Sequence, residues 1–458
     1  MHSMLPPGPK NWFRNLRSLQ HNPHQFLNSL AREYGDAAHF RVGRQSYFFF
    51  CHPDQVKDIL VTRQSSFMKG RLLQRTKIVL GEGLLTSEHD LHKRQRRLAQ
   101  PAFHRERISR YGEVMVEKAA KVRDGWSEGN EIDMAHEMMR LTLAVVAQTL
   151  LDADVDDDAD QIGAVMTELM GMFPLLVHPF AKLLLRLPIF PDVRRYRRAR
   201  AFLDQTIYSI IAEHRRSGVD RGDLLSMLIM ATDVEGDGGT MTDTQLRDET
   251  MTIILAGHET TAVGLAWTWY QLARNPHVER ELHRELDTVL GGRTPTPADY
   301  PRLPYTEMVF AESMRLYPPG WVMGRLALED VRVGEWLVPK DSLVIVSQAV
   351  THRDPRYWPN PDVFDPQRFT AEAKASRPKM AYFPFGAGPR ICIGEGFAWM
   401  EGVLILATLA QKWKFERGPD VAPQAQITLR PATPMRMRLT RREPIREESP
   451  EVGEAVPA

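Results

Sequence analysis

The sequence contains very few cysteines and no long apolar run, and each absence excludes a class of protein. Its 458 residues include only Cys51 and Cys392, which are too few for a disulfide framework or for a zinc or iron–sulfur site with four cysteine ligands. No stretch of about 20 apolar residues is present, so a membrane anchor is not expected. The N-terminus lacks the apolar segment of a secretory signal, which favours the cytoplasm, where thiols stay reduced.

An excess of charge of one sign is missing as well. The 59 lysines and arginines offset the 58 aspartates and glutamates and leave a net charge of +1. So weak a net field does not predict a general nucleic-acid-binding protein. The sequence also has no internal repeat and no linker-like change of composition. We therefore predict one domain over residues 1–440, followed by a charged, disordered tail at 441–458.

Helical periodicity is the main pattern that is present. Two aromatic-rich segments at 38–42 and 46–50 predict a pair of strands, and a shorter β-like stretch follows at 331–346. Amphipathic patterns predict helices over 23–34, 91–98, 105–126, 132–151, 196–216, 243–274 and about 394–413. The sequence thus predicts a fold that is mainly α with a small β portion.

The segment around Cys392 is the most informative part of the chain. It reads Phe-Pro-Phe-Gly-Ala-Gly-Pro-Arg-Ile-Cys-Ile-Gly-Glu-Gly over residues 383–396, and its glycines allow a backbone to approach a partner closely. Arg390 and the start of a predicted helix place a cation and backbone N–H groups near the thiol, where they favour a thiolate. A buried structural cysteine is the alternative. Cys51, in an apolar run without glycines, fits that description better.

A polar motif interrupts the apolar helix predicted at 243–274. The residues from Ala256 to Thr261 read Ala-Gly-His-Glu-Thr-Thr, and the glycine alone costs about 1 kcal/mol of helix propensity. Residues that disfavour the local secondary structure, such as glycine inside a helix, often mark a functional site. A polar face turned to solvent is the alternative, but apolar residues lie on both sides of the motif.

Both motifs resemble those of the cytochrome P-450 family, the haem-thiolate monooxygenases. The residues Phe385, Gly388, Arg390, Cys392 and Gly394 match the family signature Phe-x-x-Gly-x-Arg-x-Cys-x-Gly. The segment 256–261 is similar to the family's Ala/Gly-Gly-x-Asp/Glu-Thr-Thr/Ser motif over the distal face of the haem. The resemblance covers nearly the whole chain. It implies a cytochrome P-450 fold, with the haem between a long distal helix and a proximal cysteine loop.

A charged network is also similar to that of the family. Glu312 and Arg315 stand at i,i+3 on one helix face, as in the family's Glu-x-x-Arg motif. Arg368 follows in a Pro-Gln-Arg-Phe segment at 366–369, where the family has Glu in place of Gln. The resemblance implies that these three residues support the haem pocket and take no part in the chemistry.

The resemblance implies a role for each matching residue. Cys392 is implied to be the proximal thiolate ligand of the haem iron. Thr260 is implied to hydrogen-bond dioxygen on the distal face, and Glu259 to supply protons through water. Contacts with the haem propionates are implied for His92, Arg96, Arg325 and Arg390, and other haem contacts for Ala256, Phe385 and Gly394. His92 stands where the family often has Trp.

Cofactors and partners follow from the same resemblance, which implies haem b, dioxygen and a hydrophobic small-molecule substrate. The chain has no glycine-rich dinucleotide motif, so we expect electrons from NAD(P)H through a separate reductase and a ferredoxin or flavodoxin. That partner is expected to dock on the proximal face, on the basic segment 92–110. Charge reversal at Arg94 and Arg97 is predicted to slow reduction. A monomer without a membrane anchor or nucleic acid is expected.

The leading hypothesis is an oxidoreductase that incorporates molecular oxygen, a monooxygenase that hydroxylates or epoxidises a fatty acid, terpenoid, steroid or aromatic compound. One alternative is a haem-thiolate peroxygenase or isomerase that needs no external reductase, and another is a haem-based sensor or carrier. By their positions in the family, segments 72–84, 253–260, 320–323 and 432–434 are expected to line the substrate pocket, and 169–191 to form its entrance.

Overall fold

The structure is a computed structural model that describes residues 5–153, 159–171, 191–233, 236 and 238–443. Helices form most of this part of the chain and strands a small part, so the prediction of a mainly α fold is confirmed. Most of the expected entrance segment 169–191, and the tail beyond residue 443, lie outside the described residues. The single domain over 1–440 stays a prediction.

The helices and strands are as follows. The α-helices are α1 Trp12–His21, α2 Pro23–Tyr34, α3 Pro53–Lys57, α4 Arg71–Arg75, α5 Lys77–Leu80, α6 His89–Ala99, α7 Arg105–Gly125, α8 Met134–Leu151, α9 Ala159–Gly171, α10 Pro191–Ser217, α11 Leu224–Met230, α12 Asp243–Leu272, α13 Pro276–Leu290, α14 Pro304–Leu316, α15 Gln348–Thr351, α16 Ala371–Ala375 and α17 Glu395–Ala410. The strands are β1 Ala37–Val42, β2 Gln45–Phe50, β3 Phe67–Lys69, β4 Glu131–Asp133, β5 Met323–Ala327, β6 Val331–Val333, β7 Trp336–Val338, β8 Leu343–Val346, β9 Trp413–Glu416, β10 Pro423–Ala425, β11 Leu429–Pro431 and β12 Arg436–Arg441.

The five-stranded sheet joins segments that are distant in the sequence. Its order is β1-β2-β8-β5-β3, with β2 and β8 parallel and the other neighbours antiparallel. The aromatic pair predicted from the sequence forms its first hairpin, in which Phe40 lies opposite Tyr47 and their rings stack at 5.1 Å. A three-stranded sheet, β4-β12-β9, and the hairpins β6-β7 and β10-β11 complete the described β structure.

Helix α12 runs through the centre of the helical part. A capping box starts it: Thr242 Oγ1 accepts the backbone N–H of Gln245 at 3.2 Å, and Gln245 Oε1 accepts the backbone N–H of Thr242 at 3.0 Å. Its residues are buried on nearly every side, as expected of a helix enclosed by other helices. It packs against α8, α10, α14 and α17, so its middle is held from several directions.

The predicted helices are present, and the differences lie mainly at their ends. Residue 132, the expected first residue of a helix, belongs to β4, because Ile132 pairs with Met437 of β12 and α8 begins only after its N-cap Asp133. Trp413, the expected last residue of another helix, belongs to β9 and pairs with Arg441. Strand pairing with a distant segment fixed these ends, and periodicity does not report such pairing.

Candidate active site

The loop before α17 is folded so tightly that two positions require glycine. Gly386 and Gly388 have φ angles of 77° and 71°, and a Cβ atom at Gly388 would collide with the carbonyl oxygen of Leu60. The backbone N–H of Cys392 donates a hydrogen bond of 3.0 Å to the carbonyl oxygen of Phe385. These constraints fix the thiol just before the N-terminus of α17.

Cys392 lies in a recess of the protein. Its side chain is exposed, yet the surrounding protein desolvates the thiol and raises its pKa to about 11. A group that is accessible and desolvated at once lies in a recess, not on the outer surface. The backbone N–H of Gly394 and the guanidinium of Arg96 oppose the desolvation, because both favour the thiolate. Cys51 differs, since it is buried and burial raises the pKa of its thiol to about 12.

The middle of α12 has an accessible face. Ala256 is exposed and Thr260 half-buried, whereas residues 255, 258, 259 and 261 are buried. Ala256 and Thr260 are one turn apart on the same face, and Thr260 Oγ1 donates a hydrogen bond of 2.6 Å to the Ala256 carbonyl oxygen. A Cβ atom at Gly257 would lie 3.2 Å from Val146 of α8, so glycine permits the close approach of the two helices. A small, hydroxyl-bearing face is the result.

Glu259 points away from that face. Its Oε1 accepts hydrogen bonds from Thr428 Oγ1 at 2.7 Å and from Arg430 Nη2 at 2.8 Å. Arg430 belongs to β11, so the carboxylate is ion-paired with the β10–β11 hairpin. The two neighbouring residues that the sequence analysis grouped together, Glu259 and Thr260, therefore direct their side chains to different partners.

Two arginines fasten the cysteine loop to α6 and the turn before it. Arg96 of α6 donates a hydrogen bond of 2.7 Å to the carbonyl oxygen of Ile391. Arg390 donates a hydrogen bond of 2.9 Å to the carbonyl oxygen of Ser87 and forms an ion pair with the Glu88 carboxylate. Two of the three arginines that were expected to contact propionates therefore join the cysteine loop to α6 and to the turn before it.

A cavity of about 440 Å³ brings together three of the predicted propionate-binding residues. Its wall contains His92 of α6, Arg325 of β5 and Arg390 of the cysteine loop. Lys69 of β3 belongs to the same wall, and the sequence analysis did not identify it. A single lysine on a three-residue strand has no neighbouring pattern that would signal such a role.

The basic groups of this cluster are desolvated and repel one another, and Glu88 in the same wall offsets only part of this repulsion. Burial and Arg390 lower the pKa of Arg325 to about 10 and that of Lys69 to about 7. Burial, together with Arg390, Lys69 and Arg96, lowers the pKa of His92 to about 3, so this imidazole is neutral. Charges that disfavour one another in this way attract an anionic ligand.

Arg94 and Arg97 do not belong to that cluster. Both pair with the buried Asp233, at 3.4 Å from Arg94 Nε and 2.5 Å from Arg97 Nη2. Arg94 also donates hydrogen bonds to the carbonyl oxygens of Gly239 and Thr240. The sequence analysis treated both arginines as part of a docking face, but the structure engages them in contacts within the protein.

The expected charged network behind the site is present. Arg315 donates to both carboxylate oxygens of Glu312, at 2.6 and 2.8 Å, and both side chains are fully buried. Arg368 Nε lies 3.4 Å from Glu312 Oε1. Arg315 also donates to the carbonyl oxygens of His352 and Pro361 at 3.0 and 2.7 Å, so it anchors the meander that precedes the cysteine loop.

The segments expected to line a substrate pocket differ in exposure. Trp321 packs in the core beside the five-stranded sheet, and its Nε1 donates to the Gln426 carbonyl oxygen at 3.0 Å. Leu84 is buried, whereas Leu85, one residue beyond the expected segment 72–84, is 38% exposed. Trp321 therefore has a packing role. Leu72 within the expected segment is as exposed as Leu85, and Leu85 is the one of the two that the sequence analysis missed.

Comparison with known proteins identifies the fold family. The family model described as Cytochrome P-450 matches residues 5–437. The chain belongs to the cytochrome P-450 family. This cytochrome P-450 is 40% identical over 425 residues to "Cyclooctatin synthase" of Streptomyces melanosporofaciens, covering 91% of this chain and 90% of that relative. It is 35% identical to "Cyclooctat-9-en-7-ol 5-monooxygenase" of the same organism, covering 90% and 89%, and 35% identical to "Pentalenene oxygenase" of Streptomyces avermitilis, covering 93% and 94%.

Solved structures agree with the family assignment. The crystal structure of the cytochrome P450DA heme domain superposes with a TM-score of 0.86 at 26% identity, over 96% of this chain and 98% of that one. The predicted cytochrome P-450 fold is thereby confirmed. As a member of this family the protein is a haem-dependent oxidoreductase that incorporates oxygen. Among the described residues, no helix combines the length and apolar character that crossing a bilayer requires.

The residues of the site fit a haem. Cys392 offers a sulfur in a recess, and even a Cβ atom at Gly394 would make only ordinary contacts, 3.9 Å from that sulfur and 3.7 Å from the Phe103 ring, so the backbone beside the thiol is not crowded. A haem carries two carboxylates, and the mutually repelling cations beside the cysteine loop suit such an anionic edge. Soft sulfur for the metal and guanidinium groups for carboxylates are the donors this group requires.

Proposed function

We propose that this cytochrome P-450 is a haem-thiolate monooxygenase that oxidises a terpenoid with electrons from a separate redox protein. The observation that carries the proposal is the placement of Cys392, an accessible thiol in a recess, beside Arg96 and the propionate-binding candidates. When bound, the haem supplies an iron centre that activates dioxygen. Cys392 is the proximal ligand in this proposal, and the cofactor is haem b.

The cationic cluster positions the cofactor in this proposal. Arg325 and Arg390 bind the propionates as charged donors, and His92, which is neutral, donates one N–H. Arg96 acts on the cysteine side, where its hydrogen bond to Ile391 keeps the loop in place. Lys69 adds a fourth donor to the same edge.

The distal residues handle protons. Thr260 Oγ1 holds a proton over the accessible face of α12 and would be able to donate it to dioxygen there in place of the Ala256 carbonyl oxygen. Glu259 is held away from this face by Thr428 and Arg430, so its proposed role as a proton source requires the carboxyl group to leave these two partners.

A terpenoid substrate is supported by the relatives. The two relatives at 35% identity are named for oxidising cyclooctat-9-en-7-ol and pentalenene, both terpenoids. The accessible apolar side chain of Leu85 and the small residue Ala256 suit a bulky hydrocarbon skeleton that offers few polar groups. Hydroxylation or epoxidation of such a skeleton is the proposed reaction.

The redox partner is proposed to be a ferredoxin or flavodoxin with an acidic surface. Phe103 lies against Gly394, which places the turn between α6 and α7 next to the cysteine loop. Arg105 follows this turn at the start of α7 and is exposed. Lys93 lies earlier on α6, in the wall of the cavity that contains Arg325, and is exposed with the exposed Asp90 as its ion-pair partner. Acidic groups of a partner would reach Arg105 beside the cysteine loop and Lys93 farther along α6.

The first test is the difference spectrum of the dithionite-reduced protein with carbon monoxide. A red-shifted, thiolate-type Soret band is expected for the wild type, and its loss for Cys392→Ala. Cys51→Ala is the matched control and should keep the band, because Cys51 is buried beside Gly35 and Asp36. A histidine-type band in the wild type, or an unchanged band in Cys392→Ala, would refute thiolate ligation by Cys392.

A second test addresses the distal hydroxyl. Thr260→Ala is expected to keep the thiolate-type band but to release about tenfold more peroxide per reductant consumed, because the proton at this position is lost. Thr268→Ala is the matched control on α12, since its buried hydroxyl makes a similar bond of 2.7 Å to the Gly264 carbonyl oxygen. Full coupling of reductant to product in Thr260→Ala contradicts the proton-donating role.

A further inference from the structure

Residues 81–88 cross from the distal helix to the cysteine loop. At one end, the backbone N–H of Leu84 donates a hydrogen bond of 3.0 Å to Glu249 Oε2 on α12. At the other end, the carbonyl oxygen of Ser87 accepts a hydrogen bond of 2.9 Å from Arg390 Nη1. The segment therefore spans both sides of the active site, and its path depends on the groups that hold its backbone.

Two consecutive buried acids hold the α12 end of this segment. Asp248 Oδ2 accepts the backbone N–H of Glu82 at 2.8 Å, next to the bond that Glu249 makes. Gly81 touches the Asp248 carboxylate so closely that a Cβ atom there would collide with it. A Cβ atom at Gly83 would likewise collide with Thr252 Oγ1 on the same helix. The backbone from 81 to 84 thus lies directly on α12.

Lys69 holds the same backbone from the opposite side. Its Nζ donates a hydrogen bond of 3.2 Å to the carbonyl oxygen of Leu84 and also contacts the carbonyl oxygen of Leu85. Residue 84 is thereby bracketed, because a buried acid takes its N–H and a buried amine takes its carbonyl oxygen. Both polar backbone groups are satisfied by side chains, so the segment cannot shift without leaving buried groups unpaired.

Leu85 is the side chain that this arrangement leaves accessible. Leu84, Thr86 and Ser87 are 8%, 0% and 0% exposed, whereas Leu85 is 38% exposed. Because the backbone is tied to α12 on one side of Leu85 and to the cysteine loop on the other, the backbone of Leu85 lies between the two halves of the site. Its position is set by the bonds at Leu84.

Glu249 can hold the Leu84 N–H either as an uncharged hydrogen-bond acceptor or as a negative charge, and its surroundings favour the uncharged acceptor. Glu249 is fully buried, and its Oε1 has no hydrogen-bond partner among the described residues. Burial and the neighbouring Asp248 raise its pKa to about 8, against the Leu84 N–H and Lys69, which lower it. At neutral pH the group is mainly an uncharged acid, and an uncharged amide would accept the same N–H.

We propose that Glu249 is a specificity-determining positioning residue, which holds the Leu84 backbone so that Leu85 limits the size of the molecule that reaches the haem. Lys69 supports this arrangement from the other side. The inference rests on the proposed function, since it requires the haem to lie between α12 and the cysteine loop. It goes beyond that function by naming the group that sets substrate size.

The test compares ligands of two sizes on the ferric holoenzyme. Imidazole and the bulkier 4-phenylimidazole are titrated by absorbance, and the ratio of their dissociation constants measures size discrimination. In Glu249→Leu the acceptor is lost, so the ratio is expected to move by about tenfold in favour of the bulkier ligand. Glu249→Gln keeps an uncharged acceptor and should retain the wild-type ratio.

Two further variants keep the outcome decisive. Leu85→Ala leaves the bond at Leu84 intact and should give the same shift, even where Glu249→Leu folds poorly. Glu285→Leu is the matched control, because Glu285 on α13 accepts the backbone N–H groups of Tyr305 and Thr306 at 2.6 and 2.8 Å. It removes similar bonds away from the site and should leave the ratio unchanged.

The inference and the proposed function fail in different ways. An unchanged ratio in Leu85→Ala, or a Glu249→Gln that behaves like Glu249→Leu, overturns the inference while the thiolate-type carbon monoxide band remains. A ratio that shifts equally in Glu285→Leu also overturns it, since general loosening would then explain the effect. Absence of the thiolate-type band from the wild type would refute the proposed function itself.

Discussion

Two groups of basic residues lie close together in the sequence and have opposite surroundings in the structure. Arg94 and Arg97 of α6 share the buried Asp233, so each of them has an acidic partner within the protein, and in this sense they form a balanced group. His92 and Arg96 of the same helix point toward the cysteine loop and the cavity that contains Arg325. One helix therefore carries a balanced group and an unbalanced group on different faces.

The difference shows that compensation, not basic character, separates a structural cation from a binding cation. An ion pair that is already complete gains little from an additional anion. In the cavity, burial and mutual repulsion lower the pKa of Arg325 to about 10 and of Lys69 to about 7, and an anionic ligand relieves that repulsion. The unbalanced group is thus the one that suits a cofactor with carboxylates.

Removal of a cation from the unbalanced group should have the largest effect. Arg325→Leu is expected to speed haem loss by roughly 100-fold or more, because a desolvated propionate would lose its charged partner, at a cost of about 3–5 kcal/mol. Haem transfer to apomyoglobin measures the rate. Arg107→Leu, which breaks the partly exposed pair with Asp220 at 3.3 Å, is the control and should change the rate less than about threefold. Equal effects of the two substitutions would remove the distinction drawn between the groups.

Glu401 on α17 is a buried acid without a strong partner, so the same contrast between paired and unpaired charges applies to it. It is fully buried, neither oxygen has a hydrogen bond of normal geometry among the described residues, and only the nearby Thr261 hydroxyl opposes the burial that raises its pKa to about 8. Between its ordinary value of 4.5 and about 8, the folded protein keeps this proton while the unfolded chain releases it. Stability is therefore complete below that window and falls as the pH rises through it.

Glu401→Gln should abolish this loss of stability. The variant is expected to match the wild type near pH 5 and to exceed it at pH 8 by about 3 kcal/mol in free energy of unfolding, as measured by urea titration at both values. Glu259→Gln is the contrasting variant, since it weakens the ion pair with Arg430 and should destabilise the protein. A stabilisation at pH 8 that is also present at pH 5 would show that titration of Glu401 is not the cause.

Charge reversal on the proximal surface should have the smallest effect. The double variant Lys93→Glu and Arg105→Glu is expected to slow reduction by a reduced ferredoxin about three- to tenfold at low salt, and less at high salt. Arg280→Glu on α13, another exposed position, is the control for stopped-flow measurements. Reduction rates that the double variant leaves unchanged at low salt would argue against docking at the turn between α6 and α7.

The earlier prediction for Arg94 and Arg97 has a different expected outcome. Because both arginines hold Asp233, reversing their charges would leave a buried carboxylate facing two acids. Loss of stability is then expected in addition to any slower reduction. The two effects are separated by comparing urea midpoints with reduction rates for these variants and for those at Lys93 and Arg105.

Much of the site was predictable because its chemistry is local in the sequence. The glycines around Cys392 and the hydroxyl at Thr260 stand in short motifs, and the structure places them in a tight loop and on an accessible helix face, respectively. Lys69 and Leu85 were not predicted, since neither has a neighbouring motif. The direction of Glu259 was also unpredictable, because its partner Arg430 is 171 residues away in the chain.

The helical class, the central apolar helix, the cysteine loop and membership of the family follow from local features of the sequence, because periodicity, glycine placement and motif spacing act over short stretches of chain. Tertiary structure alone decided which charges are balanced. Whether a given arginine pairs with Asp233, with Glu88 or with no acid of the described part of the chain depends on contacts between distant segments. Charge compensation depends on distance in space and on burial, and neither quantity is written in the local sequence.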